Sequence, residues 1–202
     1  MNESFNPRRD QHGKKKKTVE KKPFINELLS TFLYIIVITG LFVAIRTFLF
    51  APVSVEGDSM NPTLVRKDRL VLNKVSSTDR FDIIVFPSPE DPSVQFIKRV
   101  IGVAGDTIEY RDQILYVNGK AIDEPYVDLS GESDGLIDIY NGDFSLESLR
   151  GVETVPEGSY FVLGDNRVNS KDSRSFGFID EETVTGSTRL RIWPLDRFGF
   201  VD

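Results

Sequence analysis

Leu28 to Ile45 reads LLSTFLYIIVITGLFVAI, eighteen residues without a charge. A helix needs about 20 apolar residues to cross the hydrocarbon core of a bilayer. With Arg46 snorkelling to the interface, the run extends to Phe50. It has no polar face, which disfavours an ordinary core helix. A cleaved secretory signal would have a shorter apolar region followed by a small-x-small site. Here Arg46-Thr47-Phe48-Leu49-Phe50 follows instead. The reading is an uncleaved signal anchor that crosses the membrane once.

Charge sets the expected orientation. Residues 1–22 carry eight Lys/Arg against three acids, with Lys14, Lys15, Lys16, Lys17, Lys21 and Lys22 just before the span. Positive charge beside a span stays on the cytoplasmic side. The remainder, 51–202, is then extracytoplasmic. That part carries sixteen Lys/Arg against twenty-seven acids, a balance that argues against nucleic-acid binding. The expected organisation is a basic cytoplasmic tail over 1–24, a transmembrane anchor over 25–49 and a β-rich domain over 50–202. Residues 128–150, rich in Gly, Ser and Asp, read as a surface insertion.

The outer part shows short β-branched runs: Arg69–Val75, Asp82–Phe86, Val94–Val103, Asp106–Tyr110, Ile114–Val117, Ser159–Leu163 and Thr188–Trp193. Asn118-Gly119 is a strong hairpin signal. Asp180–Val184 is the one modest helix candidate. This spacing predicts a mainly β, coiled antiparallel domain.

Composition narrows the chemistry. There is no cysteine, so disulfides and thiolate metal sites are excluded. The one histidine, His12, lies in the basic leader, badly placed for a Ser-His-Asp triad. Hydrolytic chemistry would have to use hydroxyls, carboxylates or amines, and no cofactor or metal is implied.

Three segments carry candidate chemistry. Gly57-Asp58-Ser59-Met60-Asn61-Pro62-Thr63-Leu64 puts a serine between a conformationally free glycine and a stiffening proline; alone it is equally an ordinary polar turn. Phe96-Ile97-Lys98-Arg99-Val100-Ile101-Gly102 reads as a strand. Side chains alternate along it, so Lys98 shares a face with Phe96 and Val100 while Arg99 points the other way. Desolvation lowers a lysine pKa and leaves an amine able to accept a proton near neutral pH; alone, Lys98 is equally a snorkelling edge lysine. Gly164 through Gly177 is a loop dense in hydrogen-bonding groups. Asp165, Asn166, Asn169 and Asp172 are oxygen donors, but the arginines and the spacing speak against a calcium loop.

Together the three segments closely resemble the bacterial type I signal peptidases, Ser-Lys endopeptidases that remove signal peptides from exported preproteins. The motifs are Ser59-Met60-Asn61-Pro62-Thr63-Leu64, Lys98-Arg99-Val100-Ile101-Gly102 with Gly105-Asp106, and Gly164 to Gly177. The resemblance runs from the anchor to about Trp193 and is to the short, single-span members. It implies a coiled, partial-barrel β-fold. It implies Ser59 as nucleophile, Lys98 as general base, Ser170 as the hydroxyl that orients the amine, and Asp172 supporting the loop by pairing with Arg174. Arg99, Asp165 and Arg167 match supportive positions, and Met60 one that lines the cleft.

The expected partners are preprotein signal peptides with small residues one and three before the cut, the lipid bilayer, and the secretion translocon. Ala51–Val55 and Gln95–Ile97 would flank the cleft, with Phe48, Phe50, Trp193 and Phe200 meeting the membrane, although Trp193 reads equally as a core residue. Two positions depart from the family pattern. Gly57 stands where some members have a serine that assists the oxyanion hole. Phe81 stands where a glycine is common. A self-cleaving repressor-type protease and a non-enzymatic export-binding β-domain are the rival readings.

Overall fold

The structure is a computed structural model and describes residues 24–48, 50–127 and 142–201. The chain divides into two compact units, Met1–Phe42 and Val43–Asp202. All but the last residue of the expected basic tail lies outside the described residues.

Helix α1 spans Phe24–Phe48 and carries Glu27 in its first turn, where a carboxylate faces the positive end of the helix dipole. No proline interrupts it. Its stretch Ile25–Ala44 has a mean hydropathy of 2.1 and no residue buried against protein. Twenty residues rise about 30 Å, the thickness of a bilayer core.

The second unit is built on two antiparallel sheets. The larger contains β1 (Phe50–Ser54), β2 (Arg69–Asn73), β3 (Ile83–Pro87), β4 (Gln95–Gly102), β9 (Ser159–Leu163), β10 (Ile179–Asp180), β11 (Gly186–Trp193) and β12 (Gly199–Phe200). Its order is β1-β2-β11-β3-β4-β9-β10, with β12 on β11. The path is open at β1 and β10, so the sheet curves without closing into a barrel. β2 alternates, with Leu70 and Leu72 buried between more exposed neighbours. β3 is buried on both faces: Ile83 and Val85 join one core cluster and Ile84 and Phe86 another. That is why its sequence reads as a continuous apolar run.

The smaller sheet is β7-β6-β5-β8, from β5 (Ile108–Arg111), β6 (Ile114–Val117), β7 (Lys120–Ile122) and β8 (Phe144–Ser145). Two tight hairpins build it. Asp112-Gln113 links β5 to β6 and Asn118-Gly119 links β6 to β7, with all four residues at positive φ. Two-residue hairpin turns of this hand match strand twist. Its core unites Ile108, Tyr110, Leu115 and Val117 with Phe161 and Leu163 of β9.

Of the surface insertion expected over 128–150, residues 128–141 lie outside the described residues. For 142–150 the expectation is corrected. Phe144 pairs with Tyr110 across β5 and stacks on its ring at 5.6 Å. Leu146, at the start of helix α2 (Leu146–Arg150), is buried, and Ser145 forms a capping box with Ser148. Two apolar side chains suffice to pin an otherwise polar segment. Phe144→Ala is expected to cost about 3–5 kcal/mol of stability, read as a lowered urea midpoint. The helix expected at Asp180–Val184 is a single 3₁₀ turn, Glu181–Thr183, capped by Asp180. β1 holds Pro52, which an edge strand tolerates because one row of N–H groups is unpaired.

Candidate active site

Ser59 sits in a tight turn between β1 and β2. Asn61 N–H closes onto Asp58 O and Leu64 N–H onto Met60 O. Met60 and Leu64 are fully buried in the core below, which holds the turn down and leaves Ser59 at the surface of a cleft. Asp58 receives a forked hydrogen bond from Arg66. No acceptor among the described residues takes the Ser59 N–H.

Lys98, on β4, is 3% exposed. Its Nζ stands 2.6 Å from Ser59 Oγ and 3.1 Å from the carbonyl of Ile97, with the Phe96 ring centroid 5.1 Å away. Burial pushes the amine well below the ordinary lysine value. The negative charges of Asp172 and Asp165 pull it part of the way back, and Arg174 opposes them. The outcome is a pKa of about 8. An amine of that pKa is neutral in a usable fraction of molecules near pH 7 and can take a proton from a hydroxyl at this distance.

The loop after β9 braces this pair through Gly164. The Gly164 N–H donates to Asp172 and its carbonyl accepts from Arg167 Nε. A Cβ on Gly164 would lie 2.4 Å from Ser59 O and 2.2 Å from Ser170 Oγ, so only a glycine lets the loop come this close. The next N–H but one, Asn166, donates to Ser59 O at 3.0 Å, and the Asn166 amide reaches Asp58 O. Asp172 is completely buried. Burial pushes its carboxyl up, but the Arg174 charge and hydrogen bonds and the Gly164 N–H outweigh that and hold it below the ordinary range. It also caps the short helix α3 (Ser173–Phe176), and Ser173 Oγ accepts from Val162 N–H on β9. Ser170 Oγ is buried and forms no hydrogen bond of good geometry among the described residues, but it faces Asp172 closely enough to help hold that carboxyl down. Ser170, expected to orient the Lys98 amine, is not among that amine's hydrogen-bond partners.

A ring of arginines surrounds this core. Arg99 makes a two-pronged pair with Asp165, and both side chains are almost fully buried. Arg167 pairs in the same way with Glu124, and the Tyr126 ring lies 3.9 Å from the Arg99 guanidinium carbon. Breaking a buried pair leaves a stranded charge. Asp165→Asn is therefore expected to destabilise by about 3–5 kcal/mol, measured by denaturant unfolding. Glu124 and Tyr126 have no counterpart among the residues expected from sequence. They follow the β6–β7 hairpin, far from Arg167 along the chain, and no local pattern distinguishes them. Phe81 takes the left-handed conformation, φ 75, that a glycine adopts freely. It keeps its turn because its N–H donates to Val100 O, its carbonyl accepts from Arg99, and its ring packs on the smaller sheet's core.

The cleft at Ser59 has a volume of about 600 Å³ and is lined by residues 52–57, 59–60 and 93–98 and by Lys171. Both strands that flank it have a free edge. Among the described residues β1 pairs only with β2, and Gln95–Lys98 pair only with β3, since β9 joins β4 from Arg99 onward. A larger cavity, about 710 Å³, is lined by Arg80, Arg99, Arg189, Arg191 and Arg197 and holds neither Ser59 nor Lys98. Its arginines are engaged with Asp106, Asp165, Asp82 and Asp68, so the cleft with the reactive pair is the candidate site. No cluster of metal-ligating side chains occurs among the described residues. Asp165 and Asp172, two of the oxygen donors weighed above, are both taken by arginine.

The site thus sets a serine hydroxyl against a buried amine at the edge of an open β-sheet, and comparison with known proteins supplies the class, a serine peptidase. Residues 27–193 match the signal peptidase family, peptidase S26. The chain is 46% identical to signal peptidase I of Bacillus caldolyticus over 161 residues, covering 77% of this chain and 86% of that one. It is 37% identical to signal peptidase IB of Staphylococcus aureus strain MRSA252 over 183 residues, covering 86% and 94%. A signal peptidase I crystal structure from Enterococcus faecalis V583 shares 45% identity, with a TM-score of 0.49 and coverage of 56% of this chain and 97% of that one. The chain belongs to the signal peptidase family.

Proposed function

We propose that this chain is a membrane-anchored endopeptidase that cuts signal peptides from exported preproteins at the outer face of the membrane, with Ser59 as nucleophile and Lys98 as general base. The observation that carries the reading is the buried Lys98 amine 2.6 Å from Ser59 Oγ. Neutral Lys98 takes the Ser59 proton as Oγ attacks the scissile carbonyl. The tetrahedral intermediate collapses to an acyl-enzyme, and the protonated amine returns its proton to the leaving nitrogen. Lys98 then activates the water that releases the acyl group. The unclaimed Ser59 N–H is an oxyanion donor. Such a donor contributes roughly 3 kcal/mol. Ser170, buried beside Gly164 and facing Asp172, is suited to orient the amine once Ser59 has given up its proton.

Substrate binds as an added strand against the free edges of β1 and of residues 95–97, where backbone bonds give affinity and pockets give selectivity. The anchor holds enzyme and preprotein in one bilayer and so raises their effective concentration. The basic residues before α1 favour a cytoplasmic N-terminus. Trp193, Leu195, Phe198 and Phe200 are large apolar side chains left exposed, of a kind suited to the lipid interface. A neighbouring translocon follows from the substrate class alone.

The test supplies a preprotein to the full chain in vesicles and sequences the new N-terminus. A single product beginning just after a small residue is expected. An uncut preprotein, or cuts scattered along the chain, would overturn the reading.

A further inference from the structure

The cleft rim carries two exposed charges that the reaction does not use. Glu56 lies on the wall that leads to Ser59 and has no ion-pair partner among the described residues. Lys171 follows Ser170 and lines the same cleft. Its amine pairs with Glu90, and the two side chains are 48% and 63% exposed. Glu90 belongs to the loop between β3 and β4, whose Ser93 and Val94 also line the cleft.

An ion pair this exposed is weak, because water screens it and two long side chains must be held in one geometry. Another carboxylate can therefore replace Glu90 at little cost. A preprotein lying in the cleft brings its own side chains to this rim. Lys98 cannot answer to them, being buried against Ser59; Lys171 can. An acidic substrate side chain is drawn to Lys171 and repelled by Glu56, so its effect depends on which position it occupies.

We propose that Lys171 is a specificity residue that favours an acidic over a basic preprotein side chain at one position flanking the cut, and that Glu90 attenuates this preference by occupying Lys171 in the free enzyme. The proposal rests on the cleft being the preprotein site.

The experiment uses the full chain in vesicles and a preprotein carrying Asp, Ser or Lys at each flanking position in turn. The reading is the ratio of Asp-form to Lys-form cleavage within each enzyme, so a general loss of activity cancels. At the responsive position the unaltered enzyme should prefer Asp by about fivefold, the scale of an exposed charge contact. Lys171→Gln should bring the ratio to one or below, since Glu56 and the released Glu90 remain, and Lys171→Glu should invert it further. Glu90→Gln should enlarge it. Loss of a merely structural salt bridge would act alike from either side; here the two partners act in opposite directions. Raising salt to about 1 M, where the screening length is roughly 3 Å, should shrink the ratio. Equal ratios in the unaltered enzyme, Lys171→Glu and Glu90→Gln, with the Ser form still cut, overturn the charge preference alone. Failure to cut the Ser form at all overturns the assignment of the cleft as well.

Discussion

Lys98→Arg is expected to abolish preprotein cleavage in a folded protein, and Ser59→Ala to do the same, each lowering the rate by roughly 10³-fold or more. Arginine keeps the positive charge but does not give up its proton at any working pH, so it separates a base from a mere cation. Retained cleavage in Lys98→Arg would remove the amine from the mechanism. The pH profile is the companion measurement. The free amine has a pKa of about 8, so kcat/KM should climb about tenfold per pH unit below that point and level off above it. Stability follows the same group. Its folded pKa is lower than its unfolded one, so between about 8 and about 10.4 the unfolded chain holds the extra proton. Raising pH across that window should therefore stabilise the fold through Lys98; below it the cost of burying the charge is fully present. The lost burial cost explains why Lys98→Met is the informative folding control: it removes the charge and keeps the packing.

Gly164→Ala should reduce cleavage by about 10²-fold, the scale of an ångström-sized misplacement of a reacting group. The added methyl would overlap both Ser59 O and Ser170 Oγ. One of them must move, and the Asn166 N–H that holds Ser59 O moves with the loop. The loss should appear in kcat, while KM changes little, because the free strand edges that would hold substrate are untouched. A wild-type kcat in Gly164→Ala would show that the nucleophile's backbone is not held by this loop.

Much of this was legible before the structure. The charge-free run, the Asn118-Gly119 hairpin and the alternation that puts Lys98 on an apolar face are local, and local patterns depend on a few neighbouring residues. The pairing of Asp172 with Arg174 is local too. What escaped was set by long-range packing. Phe144 sits in a polar stretch, and only the Tyr110 and Phe161 rings it meets make it a core residue. β1 was hidden by Pro52, which reads as a break until the strand is known to be an edge. Glu124 has no neighbour in sequence to mark it, and its role exists only because the fold brings Arg167 to it. Ser170 was expected, from the resemblance alone, to orient Lys98; the hydrogen bonds of the amine go to Ser59 and to the Ile97 carbonyl.

The segment that leaves β7 carries Glu124 and Tyr126, and these engage Arg167 and Arg99, the two arginines beside the loop that follows β9. The smaller sheet is thus no detachable accessory. A pared-down enzyme made by cutting out β5 to β8 would lose the counter-charge of Arg167 and the ring over Arg99 along with the sheet, and the dyad cannot be transplanted as a short cassette. Whoever wishes to move this chemistry to another scaffold must carry both sheets, because the unit of inheritance is the pair.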